Sequence, residues 1–381
     1  MLYLYCMAGS IIRNFTKAVL VVCNITAAIL FLLGCYASSF DPQAFWFFGL
    51  LTLASLYLLL VLVFFIVFWL FAKAKFVFIS IIAIACAWKP LGHLIKLKPA
   101  SDFSILKSPD NIRVMSWNVE HFDILEHKTH PERKNEMIDI INKYKPDVAC
   151  FQEMVGGDKD SSAINYVPRM ARELNFQYYH YSYDKKDDFD NKHHYGIITF
   201  SRFPIIKKNT FTTSDHSYNS IFQSIDVVNN TDTFSVFNIH LQSLKFSDIN
   251  RQYIDEPTLK NEIDLEKSKN ILSKFKTGFL KRKKQSERVK NALNENAYPV
   301  ILCGDFNDVP NSFAYNTIGK GLKNAFAEKG SGIGRTFSSI SPTLRIDNIF
   351  VNAQYEVLQF TRIKKKISDH FPIITDLILK K

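Results

Sequence analysis

Apolar residues are arranged in two ways along this chain, and the change falls near residue 100. Before it, residues 18–36 and 45–71 are nearly charge-free, and each is long enough to cross a hydrocarbon core, which takes roughly 20 apolar residues in an α-helix. A third run, Phe76 to Trp88, follows the break Ala72-Lys73-Ala74-Lys75. It reaches spanning length if its helix continues through Leu91 to Leu97 with the lysines snorkelling. The pattern predicts a membrane domain over 1–98 with two or three transmembrane helices, three being the working arrangement, and a second domain over 99–381. A cleaved signal is the alternative for the first run, since Leu33-Gly34-Cys35 follows Arg13 and Lys17 as a lipoprotein box would. Further apolar segments directly downstream favour the membrane domain.

After residue 100 the apolar runs shorten to strand length. Strands are predicted over Ile112 to Trp117, Val148 to Gln152, Tyr195 to Ser201, Ile221 to Val228, Phe234 to His240, Val300 to Cys303, Ile346 to Val351 and Phe371 to Leu377. Helices are predicted over Pro131 to Tyr144, where Met137, Ile138, Ile141 and Tyr144 share a face, over Ala163 to Leu174, and over much of Leu259 to Leu293. Many strands with few intervening helices imply two sheets packed face to face and covered by helices, not a regular parallel wind.

Charge sets the expected orientation. In a three-span arrangement Arg13, Lys17, Lys73 and Lys75 share one side and Lys89, Lys96 and Lys98 the other. The loop from Ser38 to Gln43 holds Asp41 and no Lys or Arg, which places it, and with it the C-terminal domain, outside a cytoplasmic membrane. With two spans the domain is cytoplasmic instead. The net charge of +11 is unevenly divided: residues 1–98 hold seven Lys or Arg and one acid, leaving 40 bases against 35 acids, or +5, for the rest. That weakens a global electrostatic argument for nucleic acid without removing a local patch. One patch is Lys267 to Lys290, with Lys281-Arg282-Lys283-Lys284 on a helix-like stretch. It reads either as a solvated helix face or as a surface for phosphate or anionic lipid. Cys150 and Cys303 sit inside apolar strands and read as buried thiols. No cysteine spacing suggests a structural zinc site.

The chemistry lies in short polar motifs that end the apolar runs: Ser116-Trp117-Asn118, Phe151-Gln152-Glu153, Asn238-Ile239-His240, Gly304-Asp305-Phe306-Asn307-Asp308, Arg345-Ile346-Asp347 and Ser368-Asp369-His370. Together they hold hard oxygen ligands, a candidate water activator and two histidines. Glu153, a carboxylate at the end of a buried strand, suits an oxygen-preferring cation such as Mg²⁺, with Mn²⁺ as the substitute. Asp305 and Asn307 flank Phe306, so an extended segment points both to one side; an Asx-type turn is the equal alternative. Taken singly, Asn118 reads equally as a turn asparagine, Glu153 as a surface acid, His240 as a strand histidine and Asp347 as a strand-end cap.

In order and spelling these motifs resemble the endonuclease/exonuclease/phosphatase superfamily over roughly residues 110 to 381, with Gly304 to Asp308 and Ser368-Asp369-His370-Phe371-Pro372 the most specific. The resemblance implies the α/β class and a four-layered α/β sandwich, two packed mixed β-sheets flanked by helices, here preceded by N-terminal transmembrane helices. It adds Asn118 and Asp369 to the metal neighbourhood of Glu153. It also implies that Asp305 orients or deprotonates the attacking water, that Asn307 positions it, that Asp347 pairs with His370, and that His240 faces the phosphate. His121, His193, His194 and His216 gain no such support and stay surface or rim candidates.

The expected protein is thus a membrane-anchored, Mg²⁺-dependent hydrolase of phosphoric esters, with the phosphate ester and the lipid bilayer as its partners. A nuclease using the same residues is the alternative, and it needs a basic, aromatic-lined groove. Tyr178 to Tyr183, with His180, supply either such aromatics or strand packing. A non-catalytic scaffold is disfavoured because no motif residue is replaced.

Overall fold

The computed structural model of the chain describes residues 2–99, 101–123, 130, 132–157, 167–188, 193–212, 221–244, 246, 248–255 and 262–380. The chain divides into two compact units, Met1–Leu94 with Asn311–Phe313, and Ile95–Pro310 with Ala314–Lys381.

In the first unit, two helices among the described residues are long and apolar enough to cross a membrane, Ile12–Cys35 and Phe48–Ala72. They approach closely where side chains are small: a Cβ on Gly34 would lie 2.4 Å from the Leu51 carbonyl oxygen, and Thr52 Oγ1 donates to Gly34 O at 3.1 Å. Such small-residue contacts are the usual means of packing apolar helices. Ser80 Oγ donates to Asn24 Oδ1 at 2.8 Å, both side chains being buried. The third apolar run differs from expectation. Instead of one continuous helix it forms Ala74–Cys86 and Trp88–Leu94, bent by 69°. Pro90 accounts for the break, because its ring has no N–H and collides with the carbonyl four residues earlier, that of Cys86.

The second unit holds twelve strands among its described residues: β1 (Ile112–Asn118), β2 (Val148–Gly157), β3 (Tyr178–Asp188), β4 (His193–Ser201), β5 (Ile205–Phe211), β6 (Phe222–Asn229), β7 (Asp232–His240), β8 (Val300–Asp305), β9 (Lys323–Asn324), β10 (Asp347–Val351), β11 (Tyr355–Arg362) and β12 (Ile373–Leu379). They form two six-stranded mixed sheets, ordered β11-β12-β1-β2-β4-β3 and β5-β6-β7-β8-β10-β9. The pairs β1/β2 and β7/β8 are parallel, and every other pair in the two sheets is antiparallel.

Side-chain alternation builds the layers. Val114, Cys150, Ile225, Val236, Ile301, Cys303 and Ile349 pack together between the sheets. Met115, Trp117, Ala149 and Phe151 point the other way, under the helices Glu132–Tyr144 and Val167–Glu173, and meet Met137, Ile141 and Met170. On the outer face of the second sheet Phe237, Ile239 and Leu302 meet Val289 and Leu293 of the helix Glu262–Asn294, and Tyr315 and Ile318 of Phe313–Gly319. Strands covered on both faces read as continuous apolar runs, which is how Val148 to Phe151 reads.

Buried polar groups fix the register of this sandwich. Arg113, 1% exposed on β1, uses all five of its N–H donors. Its Nε and Nη2 donate to the two oxygens of Asp376 on β12 at 2.7 and 2.8 Å. Nη1 donates to Ile105 O and Tyr144 O, and Nη2 also to Ser104 O. Between the sheets, Gln152 Nε2 donates to Asn238 Oδ1 at 2.7 Å, and Asn238 Nδ2 to Ile198 O at 2.9 Å.

Removing one partner of a buried, fully paired ion costs about 3–5 kcal/mol because the other charge stays behind. Arg113→Ala is therefore expected to lose that much stability, and Asp376→Ala a similar amount, in chemical denaturation of the whole chain. Replacing both by leucine should recover only part of the loss, since the carbonyls of Ser104, Ile105 and Tyr144 then lose the Arg113 donors. A single variant within about 0.5 kcal/mol of the parent would show that the pair contributes nothing.

Candidate active site

The strand order brings the ends of both parallel pairs to one edge of the sandwich. In the second sheet the register places His240 opposite Asp305 and Asp305 opposite Asp347, so three functional side chains stand in a row on one face. In the first sheet Asn118 lies opposite Gln152. The β7/β8 approach is tight there: Gly304 has φ +151°, and a Cβ at that position would fall 2.0 Å from Ile239 O. Only glycine fits between Cys303 and Asp305.

Asp305 is the centre, 1% exposed. Its Oδ2 accepts from Asn118 Nδ2 at 3.1 Å and Asn307 Nδ2 at 3.2 Å, and its Oδ1 accepts the Asn307 backbone N–H at 2.7 Å. This last bond is an Asx turn, and Asn307 has φ +49°. The extended segment offered as one reading of Asp305 to Asn307 is thus replaced by the turn, which still delivers both side chains to one place. His240 Nε2 and His370 Nε2 stand 3.6 and 3.7 Å from the same Oδ2. Burial first, then the charge of Asp347, lifts the Asp305 carboxyl to about 7, against the lowering effects of His370, the Asn307 N–H and Asn118.

His370 is clamped from every side. Its Nδ1 lies 2.9 Å from Asp347 Oδ2, its carbonyl accepts from Trp117 Nε1 at 2.9 Å, and Phe337 packs edge-on against the ring at 5.0 Å. Ser368 Oγ donates to Asn118 O at 2.8 Å and accepts the His370 N–H, tying this loop to the end of β1. Burial by itself would lower the imidazole pKa, but Asp347, Asp305 and Asp369 outweigh it and hold the ring well above the ordinary histidine value. Asp347 Oδ1 is buried with no hydrogen-bond partner among the described residues.

Glu153 is aimed by a backbone irregularity. The β2/β4 register shifts between Phe151 and Met154, and Glu153 inside that bulge has φ +52°, so its side chain leaves the strict alternation of the strand. Its carboxylate lies 3.5 Å from His240 Nε2 and 3.8 Å from His121 Nε2. Asn118 directs Oδ1 at the Glu120 N–H, 3.2 Å away. Asp369 has its backbone N–H on Glu120 Oε2 at 2.9 Å and Oδ1 3.8 Å from His370 Nε2.

All eight residues singled out from the sequence, Asn118, Glu153, His240, Asp305, Asn307, Asp347, Asp369 and His370, thus meet in one contact network. Two more join it. Glu120 has its carboxyl raised to about 7 by burial and by the charges of Asp369 and Glu153. His121, read as a rim residue, sits between Glu153 and the Tyr195 ring, whose centroid is 5.1 Å away. Glu120, His121 and Phe122 all take positive φ, a local conformation that no spacing rule announces. His193 and His194 lie on β4, where His194 stacks on Tyr183 at 4.1 Å; His216 falls outside the described residues.

The basic run also changes meaning. Arg282 is buried: its Nε donates to Asp308 Oδ2 at 3.1 Å and its Nη1 to Gln242 O at 2.9 Å. It belongs to the support of the two loops that follow Asp305 and His240, and not to a solvated face.

Chemically, the network offers a buried carboxylate set among hydrogen-bond donors, a cationic imidazole held by a second carboxylate, and a separate group of hard oxygens. Asp305, Asp347 and His370 also place ligand atoms within 4.8 Å of one another. The sequence profile of the Endonuclease/Exonuclease/phosphatase family matches residues 115–370, and a domain of unknown function (DUF8431) matches residues 17–94. Among solved structures, an endonuclease/exonuclease/phosphatase family protein from Bacteroides thetaiotaomicron is similar at 20% identity, covering 72% of this chain and 100% of that one with a TM-score of 0.50. An endonuclease/exonuclease/phosphatase from Beutenbergia cavernae gives 18% identity, coverage of 71% and 72%, and a TM-score of 0.49. The human Nocturnin catalytic domain, solved with a bound sulfate anion, gives 18% identity, coverage of 71% and 94%, and a TM-score of 0.48. None of the curated proteins matches the chain.

If Asp347 acts only through the His370 ring, His370→Ala and Asp347→Ala remove one shared function. The double variant is expected to lose far less phosphoesterase activity than the product of the single losses. Independent, multiplicative losses would separate the two residues.

Proposed function

The chain belongs to the endonuclease/exonuclease/phosphatase family, and from that premise we propose that it is a membrane-anchored, Mg²⁺-dependent hydrolase of phosphoric esters. The observation that carries this reading is Asp305: a buried carboxylate near neutrality, fixed by Asn118 and Asn307 and faced by two histidines. Such a group takes a proton from water at ordinary pH and holds the resulting nucleophile in line with phosphorus. Asn307, His240 and the protonated His370 then donate to the phosphoryl oxygens as charge develops on them. Asp347 keeps His370 charged and oriented.

The donor set fits a hard cation. Glu153 and Asp369 supply carboxylates and Asn118 an amide oxygen, and Glu120, whose carboxyl is raised first by burial and then by Asp369 and Glu153, stands beside them. Asp305, Asp347 and His370 form a second candidate group, in which Asp347 Oδ2 already lies 2.9 Å from His370 Nδ1. When bound at Glu153, Asp369 and Asn118, Mg²⁺ would polarise the phosphoryl group and neutralise part of its charge.

A nucleic-acid substrate is favoured by one feature, a cavity of about 280 Å³ lined by Tyr179, Tyr181, Tyr183, His180 and Lys208, an aromatic and basic lining of the kind single strands use, with Tyr183 stacked on His194 and Lys208 over Tyr179. Phospholipid headgroups and phosphorylated metabolites are the simpler choice where the bent pair Ala74–Cys86 and Trp88–Leu94 completes a third span and so puts the hydrolase domain outside the cytoplasmic membrane. A panel of lipid, nucleotide, sugar-phosphate and oligonucleotide esters, assayed with and without Mg²⁺, separates these classes.

Two expected outcomes test the reading. Glu153→Gln and Asp305→Asn should both fold and lose roughly 10²- to 10⁴-fold in rate, but they should differ in kind. Raised Mg²⁺ recovers part of the Glu153→Gln rate and little of the Asp305→Asn rate, as a plot of rate against Mg²⁺ will show; near-normal turnover by Asp305→Asn would sink the mechanism. For orientation, a reporter active only outside the cytoplasm, fused after Lys381, should work. A working cytoplasm-only reporter at that position would reverse the placement.

A further inference from the structure

The helix Glu262–Asn294 carries a charge distribution that the reaction does not use. Between Lys267 and Ser286 there are eight Lys or Arg and no Asp or Glu. Outside those twenty residues, positions 99–381 hold 32 bases and 35 acids, so the helix segment accounts for the whole positive balance of the hydrolase domain. Arg282 is spent internally on Asp308 and Gln242. The exposed positions tell a different story. Leu265, Lys269, Leu272 and Lys276 follow one another at helical spacing on the open face, with the two leucines 52% and 45% exposed, and Lys284 is exposed two turns further on.

We propose that this face of the helix lies against an anionic bilayer surface. Lysines attract acidic headgroups while their stems and the two leucines enter the headgroup boundary, and clusters of four to eight basic residues are the usual composition of such contacts. The leucines decide between partners. A nucleic-acid backbone is met by polar and cationic groups alone, whereas Leu265 and Leu272 gain from an interface with an apolar side. The occupant follows from the chain itself, since Ile12–Cys35 and Phe48–Ala72 are long and apolar enough to span the same bilayer. Through Arg282 the helix also holds the loops after His240 and Asp305, so the contact would steady the site in the presence of lipid. The inference rests on the membrane anchoring proposed above but not on any assignment of catalytic roles.

Amine-reactive footprinting of the full chain in nanodiscs tests it, with native lysines as probes. In discs of phosphatidylcholine with about one third phosphatidylglycerol, Lys269, Lys276 and Lys284 should react roughly threefold or more slowly than in pure phosphatidylcholine. The exposed Lys145 and Lys380 should not change. The protection should fade at about 0.5 M salt, where screening shortens the reach of surface charge to a few ångströms. Equal rates in the two lipids, or protection that appears only on adding an oligonucleotide, would overturn the proposal. A chain that does not stay in the disc overturns the anchoring as well, whereas a retained chain with an unchanged footprint overturns this contact alone.

Discussion

Everything at the edge of the sandwich depends on keeping Asp305 buried as a carboxylate. An isolated charge taken out of water costs several kcal/mol even after relaxation, and the surroundings of Asp305 are arranged to offset that. Two amide groups and a backbone N–H reach its oxygens, and two imidazoles stand within 4 Å. None of these partners is local in origin except Asn307. His240 and Asp347 arrive by strand register, Asn118 from the opposite sheet, and His370 on a loop stapled to Asn118 and Trp117. The site therefore exists only when the whole β-sandwich has closed.

Two further buried ion pairs stand behind this arrangement. Arg113 with Asp376 locks β1 to β12, the strand that leads out of the His370 loop. Arg282 with Asp308 locks a surface helix to the loop that carries Asn307. Each pair sits one step behind a functional loop, and each satisfies carbonyls as well as a carboxylate. Apolar packing between Val114, Cys150, Ile301 and Cys303 gives the sheets their adhesion, but adhesion alone tolerates sliding. Directional groups such as Gln152 on Asn238 specify one register.

The strands that could be read from the sequence were those buried on both faces, where composition is unambiguous. The four strands at the sheet edges, β3, β5, β9 and β11, were the ones left unassigned or, for β3, read two ways. Edge strands are half covered and carry charge that blunts pairing, as Lys207 and Lys208 do on β5, so their apolar pattern is diluted. The site was legible because its residues end apolar runs in short motifs. Glu120 carries no signal in the sequence and His121 reads only as a surface or rim residue, because both reach the site through three successive left-handed residues. The inward turn of Arg282 is hidden for a related reason: within a run of lysines, sequence cannot say which cation is buried, and Asp308, 26 residues away, and Gln242 make that choice.

A division of positive charge follows from these placements. His370 is held as a cation against Asp305 and Asp347 by proximity to both carboxylates. A divalent ion drawn to the same group would have to displace that proton or lie against a positive ring. The oxygens of Glu153, Asp369 and Asn118, together with the crowded Glu120, gather the negative charge on the other side of that ring, with Asp369 Oδ1 3.8 Å from His370 Nε2. Under the proposed reading a phosphoryl group would then lie between two positive centres, an imidazolium on one side and a metal on the other, with the Asp305 carboxylate presenting water to phosphorus. Stabilisation from two sides is effective because the charge developing in phosphoryl transfer is spread over several oxygens. On that reading the imidazolium is secured from both of its nitrogens, by Asp347 2.9 Å from His370 Nδ1 and by Asp305 and Asp369 at 3.7 and 3.8 Å from Nε2.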